Sequence, residues 1–122
     1  MANPNMVNVT SIYGEFKAGP LTDTLTTTLL ENTTSSGHVY KINSIIVTNI
    51  DGTNAADLTM DVEDIAGSNE AYLAYTISVP ADATLVLIDR NSSFYLKENY
   101  RIRGGAGAAS DLTYIINYEQ IG

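Results

Sequence analysis

The stretch KINSIIVTNIDGTNAADLTMDVE, Lys41 to Glu63, decides the fold. Its two ends read as long strands, and Asp51-Gly52-Thr53-Asn54 between them is turn chemistry. Asp-Gly flanked by apolar runs is a strong short-range hairpin signal, because glycine takes the positive φ that tight turns require. The second strand alternates cleanly: Leu58, Met60 and Val62 face one way, Asp57, Thr59, Asp61 and Glu63 the other. The first strand is apolar on both faces, with Ile42, Ile46 and Ile50 on one and Ile45 and Val47 on the other. A strand dry on both sides belongs in the middle of a body, so this stretch predicts a hairpin with a buried centre.

The same period extends outward. EAYLAYTISV (Glu70–Val79) places Leu73, Tyr75, Ile77 and Val79 on one face and Tyr72, Ala74, Thr76 and Ser78 on the other, and Pro80 ends it. Ala83–Asp89 is a short apolar strand, Ser93–Leu96 a shorter one, and Tyr100–Arg103 alternates. Asp111–Ile121 predicts a last strand with Leu112, Tyr114, Ile116 and Tyr118 on one face. Upstream, Thr22–Asn32 is rich in β-branched threonine, which suits a pleated surface. About eight strands with turns every 8–12 residues, and no helical run, predict an all-β antiparallel sandwich, jelly-roll or immunoglobulin-like. Residues 21–122 form that domain. Residues 1–20 are either its N-terminal edge strand or an extended arm docking on a neighbour; a strand is expected at Met6–Tyr13, interrupted by Gly14.

Composition narrows the function classes. With 122 residues the chain makes one domain. It has no cysteine, so disulfides and thiolate chemistry are excluded. Six basic against fourteen acidic residues give a net charge of −8, which repels phosphate backbones, so no nucleic-acid partner is expected. No apolar run reaches the roughly 20 residues of a membrane helix, and no membrane partner or secretory leader is expected.

Catalytic signals are poor, and no enzyme is expected. His38 is the only histidine, without a nucleophile-elbow motif, and one histidine without cysteine does not make a zinc or copper site. Asp57, Asp61, Glu63 and Asp64 are the best metal candidates, yet carboxylates two residues apart on a strand stand about 7 Å apart and do not converge on one ion. They read as a solvated strand face, and no metal or cofactor is expected. Lys97, Arg101 and Arg103 read as a solvated face or as partners for nearby carboxylates and, second, as a protein-binding patch. Gly104-Gly105-Ala106-Gly107 lacks the lysine of a phosphate loop and reads as a flexible hairpin loop. Eight tyrosines against two phenylalanines suit a surface half dry and half wet. The contact candidates are Met6, Val7, Val9, Ile12 and Tyr13 in the N-terminal segment, with Tyr72 and Tyr114 on the later strands.

Residues 38–121 then carry a resemblance. The VTNIDG turn, the VPADATLV turn, YLKENYRIR and the ending YIINYE resemble a small protein recurring in tailed-bacteriophage genomes, especially of aquatic hosts. Such proteins are regarded as β-sandwich virion components. The resemblance implies a capsid decoration or cement protein, made in host cytoplasm and placed on the capsid surface. Its partners would be the major capsid protein and copies of itself, a trimer favoured. A tail, neck or fibre module of the same virion is the alternative, and a carbohydrate-binding sandwich the next. The resemblance brings no functional residue with it.

Overall fold

The computed structural model describes residues 4–68 and 70–122. Nine strands occupy them: β1 (Ile12–Pro20), β2 (Thr27–Asn32), β3 (Val39–Asn49), β4 (Ala56–Asp64), β5 (Glu70–Val79), β6 (Thr84–Ile88), β7 (Phe94–Leu96), β8 (Tyr100–Ala106) and β9 (Leu112–Ile121). Every pairing is antiparallel. Sheet A runs β1-β9-β3-β6, with β7 also on β3; sheet B runs β2-β8-β4-β5. The fold is therefore an all-β sandwich.

The pairings nest. β1 meets β9, β2 meets β8, β3 meets β6 and β7, and β4 meets β5. The chain is one long antiparallel ribbon, bent at the β4–β5 turn and rolled so that β9 also lies on β3 and β8 on β4. That is the jelly-roll plan, with β6 and β7 sharing one strand's place. It resolves the choice between jelly-roll and immunoglobulin-like order.

The hairpin expected at Asp51–Asn54 is not one. β3 and β4 lie in different sheets, and the turn between them is a corner from one sheet to the other. The Asp51 carboxylate accepts from the N–H groups of Thr53 (2.8 Å) and Asn54 (3.2 Å), closing an Asx turn. Asn49, buried at the end of β3, fixes the corner: its amide donates to the carbonyls of Asn54 (3.0 Å) and Val79 (2.9 Å), and its oxygen accepts from the Asp51 N–H (2.8 Å). Val79 ends β5, so one side chain ties sheet A to sheet B. Asn32 does the same at another crossing. Its amide donates to His38 (2.9 Å) and Leu96 (3.0 Å) carbonyls, and its oxygen accepts from Ser36. Each asparagine satisfies backbone groups that the crossing leaves without a ladder partner.

Bulges correct the expected faces. A bulge between Ile42 and Ser44 shifts β3 by one, so Ile42 joins Ile45 and Val47 inside, while Ile46 points out. Ile50 lies beyond the strand and is exposed. β5 carries irregularities opposite Leu58–Asp61; Thr76 sits at φ 48°, donates its N–H to Thr59 Oγ1 (3.2 Å), and Ala74 rather than Tyr75 turns inward. The faces expected for β4 and β9 stand: Leu58, Met60, Leu112 and Ile116 are fully buried between the sheets with Ile42, Ile45, Val47 and Ile102.

The strand expected over Met6–Tyr13 lies instead at Ile12–Pro20 and runs through Gly14, which pairs with Glu119. Residues 1–3 of the expected arm lie outside the described residues, and residues 4–11 hold no strand. Gly104-Gly105-Ala106 is likewise no loop; it is the buried end of β8. A Cβ on Gly105 would stand 2.6 Å from the Thr24 carbonyl oxygen, and one on Gly104 would stand 3.3 Å from Leu29 and Met60 side-chain atoms. These glycines let the segment at Thr24–Leu25 cross one side of the strand while the core packs on the other.

Candidate functional site

The outward faces of the two sheets differ in kind. On sheet B, direct pairing sets Arg103 beside Asp61 and Arg101 beside Glu63 from β8 to β4, then Tyr72 beside Asp61 and Glu70 beside Glu63 from β5. Arg103 grips Asp61 through two nitrogens (3.1 and 2.6 Å) and also reaches Glu63 (3.1 Å) and Glu70 (2.8 Å). Arg101 binds Glu63 through Nε and Nη2. The basic residues thus partner carboxylates, as expected, with Lys97 apart from them over the Tyr100 ring. The carboxylates do not form a solvated face: Asp61 and Glu63 are buried beneath the guanidinium groups.

Electrostatics follow the geometry. Burial pushes the Asp61 carboxyl up, but the Arg103 hydrogen bonds, a bond to Glu70 and the charges of both arginines outweigh it and hold Asp61 below its ordinary value. Glu70 is held above its ordinary value, first by the hydrogen bond to Asp61 and then by desolvation. Asp61, Glu63 and Glu70 each offer an oxygen to one point, but Arg103 already fills it with its own positive charge. Asp57 and Asp64 stand elsewhere. Asp57 is exposed, and Asp64 binds the Ser68 N–H (2.7 Å) and hydroxyl (2.6 Å) within the β4–β5 turn. His38 donates from Nδ1 to the Gly122 carbonyl (2.9 Å), a bond that fastens the chain's end.

The outward face of sheet A is nearly uncharged. One row crosses four strands: Ala18 on β1, Ile115 on β9, Ile46 on β3 and Val86 on β6. With strands about 4.8 Å apart, it is about 14 Å long. Ile115 and Val86 are 42% and 57% exposed, so the row is open to contact. On one side lies Pro20–Thr113–Thr48–Thr84, with Thr48 and Thr84 hydroxyls 3.1 Å apart. On the other, Phe16 faces Asn117, whose amide donates to Ser44 (2.7 Å). The charges in register on this face are Lys41 and Glu119, opposite in sign and cross-strand neighbours of β3 and β9. This face escaped the sequence because it needs the bulge and the strand register; Ile115, apolar on the outward side of β9, was its one visible sign.

The sequence candidates scatter. Met6, Val7, Ile12, Tyr13 and Tyr72 are exposed, and Val9 is half-buried. Tyr114 corrects the expectation: it shares the inward face with Leu112 and Ile116, is buried, and burial raises its pKa. Tyr72 meets Tyr75 edge to face, with centroids 4.8 Å apart and planes at 72°.

The molecule is thus an antiparallel jelly roll with one apolar and one ion-paired outer face. No family model matches the chain, and no curated protein does. It is similar to two crystal structures of a pentameric capsid protein isolated from metagenomic phage sequences. Each is 16% identical, with TM-scores of 0.40 and 0.41; each alignment covers 87% of this chain and 62% or 60% of the other. It is also similar to the infectious bursal disease virus VP2 subviral particle, 10% identical over 91% of this chain and 32% of that one, TM-score 0.43. The chain therefore spans about three-fifths of the phage proteins and a third of VP2.

Proposed function

We propose that this chain is a non-catalytic virion structural protein of a tailed bacteriophage, a decoration or cement protein that docks on the major capsid shell and holds it assembled. The observation that carries the reading is the outward face of sheet A. In a chain of net charge −8 it presents exposed apolar side chains, and its two charges, Lys41 and Glu119, are opposite in sign and occupy cross-strand positions. Open apolar faces of this kind mark contact with another macromolecule. A docked subunit stabilises an assembled shell because it binds the assembled form and not the dissociated one. The sequence resemblance over residues 38–121 supports the same role, and jelly rolls are common in viral capsid domains, which is an analogy of fold alone.

The test is a cryo-electron map of the encoding phage's virion, joined to binding of purified protein to particles stripped of it. The expected result is this fold repeated over the shell, with binding lost in Ile115→Lys and Val86→Glu while circular dichroism stays that of the parent. Density confined to the tail would replace decoration by a tail or neck role. Undiminished binding by both variants would overturn the assignment of the face.

A further inference from the structure

β1 is one edge of sheet A, unpaired on its outer side among the described residues, and its pattern is self-complementary. The Leu21 N–H donates to the Leu112 carbonyl (2.8 Å) and the Gly122 N–H to the Ser11 carbonyl (3.1 Å), so odd-numbered residues at both ends of β1 turn their main chain toward β9. These directions alternate along an antiparallel strand. Ile12, Gly14, Phe16 and Ala18 therefore aim N–H and C=O away from the sheet, and Pro20 aims a carbonyl. The strand carries no bulge, and its side chains are exposed on both faces, Phe16 at 66% and Tyr13 at 55%. Natural edges are usually guarded by bulges, prolines or charged side chains, and a guard of both signs can be neutralised by a second copy of itself. Here proline stands only at the end, and the charges, Glu15 and Lys17, balance.

We propose that β1 pairs antiparallel with β1 of a second copy about a two-fold axis at Phe16, joining two A sheets edge to edge. Phe16 is the middle residue of Ile12–Pro20, so this register alone overlaps the whole strand. It sets Glu15 opposite Lys17 of the second copy, and Lys17 opposite its Glu15, at positions where side chains approach closest. Gly14 meets Ala18, Ile12 meets Pro20, and the two Phe16 rings meet on the outward face. Moving the axis to Glu15 or Lys17 keeps the main-chain bonding parity but sets like charge on like charge. The matched register makes about eight main-chain hydrogen bonds. It also aligns the two apolar faces on one side, doubling the face beside the shell. Such an isologous contact closes at two copies, in place of the trimer that the resemblance implies. The inference concerns the isolated chain, so its failure and that of the shell-docking reading are separate events.

Sedimentation velocity of the purified chain, from low micromolar to submillimolar, reads the association. The expected result is a concentration-dependent dimer of the 13.1 kDa chain. Lys17→Glu and Glu15→Lys each weaken it about tenfold, a loss of about 1.4 kcal/mol, and the two together restore it. Because the chain has no cysteine, Phe16→Cys reports the register directly. Its two Cα atoms would lie about 5.5 Å apart, within disulfide reach, whereas Ala18→Cys would stand about 14 Å from itself. Mild oxidation crosslinks the first and not the second. A chain monomeric throughout overturns the proposal. So does a dimer indifferent to both charge reversals, or one that Ala18→Cys crosslinks as readily as Phe16→Cys.

Discussion

Arg103→Met is the sharpest perturbation of this fold. The Arg103 side chain is 12% exposed and its partners Asp61 and Glu63 are 5% and 6% exposed, so removing the guanidinium strands two buried carboxylates side by side. Breaking a buried pair by deleting one partner costs about 3–5 kcal/mol, most of it from the charge left unpaired. The Glu70 contact adds little, because that carboxyl is 37% exposed and screened by water. At about 2.1 cal/mol/K per residue, the unfolding entropy of 122 residues is about 0.26 kcal/mol/K, so Tm should fall by about 12–19 °C. Arg101→Met removes a cation 25% exposed that binds Glu63 alone, while Arg103 remains to neutralise it, and should cost about 1 kcal/mol. The assay is urea unfolding followed by far-ultraviolet circular dichroism and tyrosine emission, since the chain has no tryptophan. The pH dependence provides the internal check. Asp61 has a folded pKa below its unfolded value, so its contribution to the parent is present above about pH 3.8 and lost as pH falls through the folded value. In Arg103→Met the stranded Asp61 carboxylate takes up a proton more readily, so the cost of the substitution shrinks as pH falls from neutral toward 4. A loss no larger than that of Arg101→Met, or one unchanged between those pH values, would refute the reasoning.

At the alkaline end, burial first, with Glu15 second at Tyr40, raises the pKa of Tyr40, Tyr114 and Tyr118 above 10.0. Their contribution is full below pH 10.0 and lost as pH rises through the folded values; the share of phenolate absorbance that these three rings contribute should appear together with the loss of circular dichroism rather than before it. Gly105→Ala should cost about 1–3 kcal/mol, because its methyl must displace the Thr24 carbonyl, whereas Gly14→Ala, with open space around it, should leave Cm unchanged or raise it. Asn49→Ala strips the buried Val79 carbonyl of its partner, together with the Asn54 carbonyl and the Asp51 N–H nearer the surface, and should lower stability by about 1–3 kcal/mol in urea titration. A loss below 1 kcal/mol would show that the corner closes without it.

Local pattern was enough for much of the fold. β4 and β9 alternate without interruption, and their inward residues could be named from the sequence. The expected Glu70–Val79 strand is β5 to the residue. Where a bulge intervenes, in β3 and β5, two-residue periodicity assigns the wrong face beyond it. The Asp51–Asn54 turn misled for a different reason: an Asx turn uses the same residues as a hairpin turn, and only the long-range bonds of Asn49 to Val79 show that the chain is changing sheets. The ion-paired face was half legible, since Arg101 and Arg103 match the spacing of Asp61 and Glu63. The apolar face and the β1 edge were not, because they exist only once β1, β9, β3 and β6 are in register.

The place of β9 bears on how the protein is made. It lies between β1 and β3, yet it is synthesised after the other eight strands. At about 5–20 residues per second, roughly 100 residues separate the appearance of β1 from that of its neighbour, an interval of about 5–20 s. Throughout it β1, and β3 once it is made, offer bare ladders to whatever is nearby, and on a crowded polysome the nearest chain is a sister carrying the same unfinished gap.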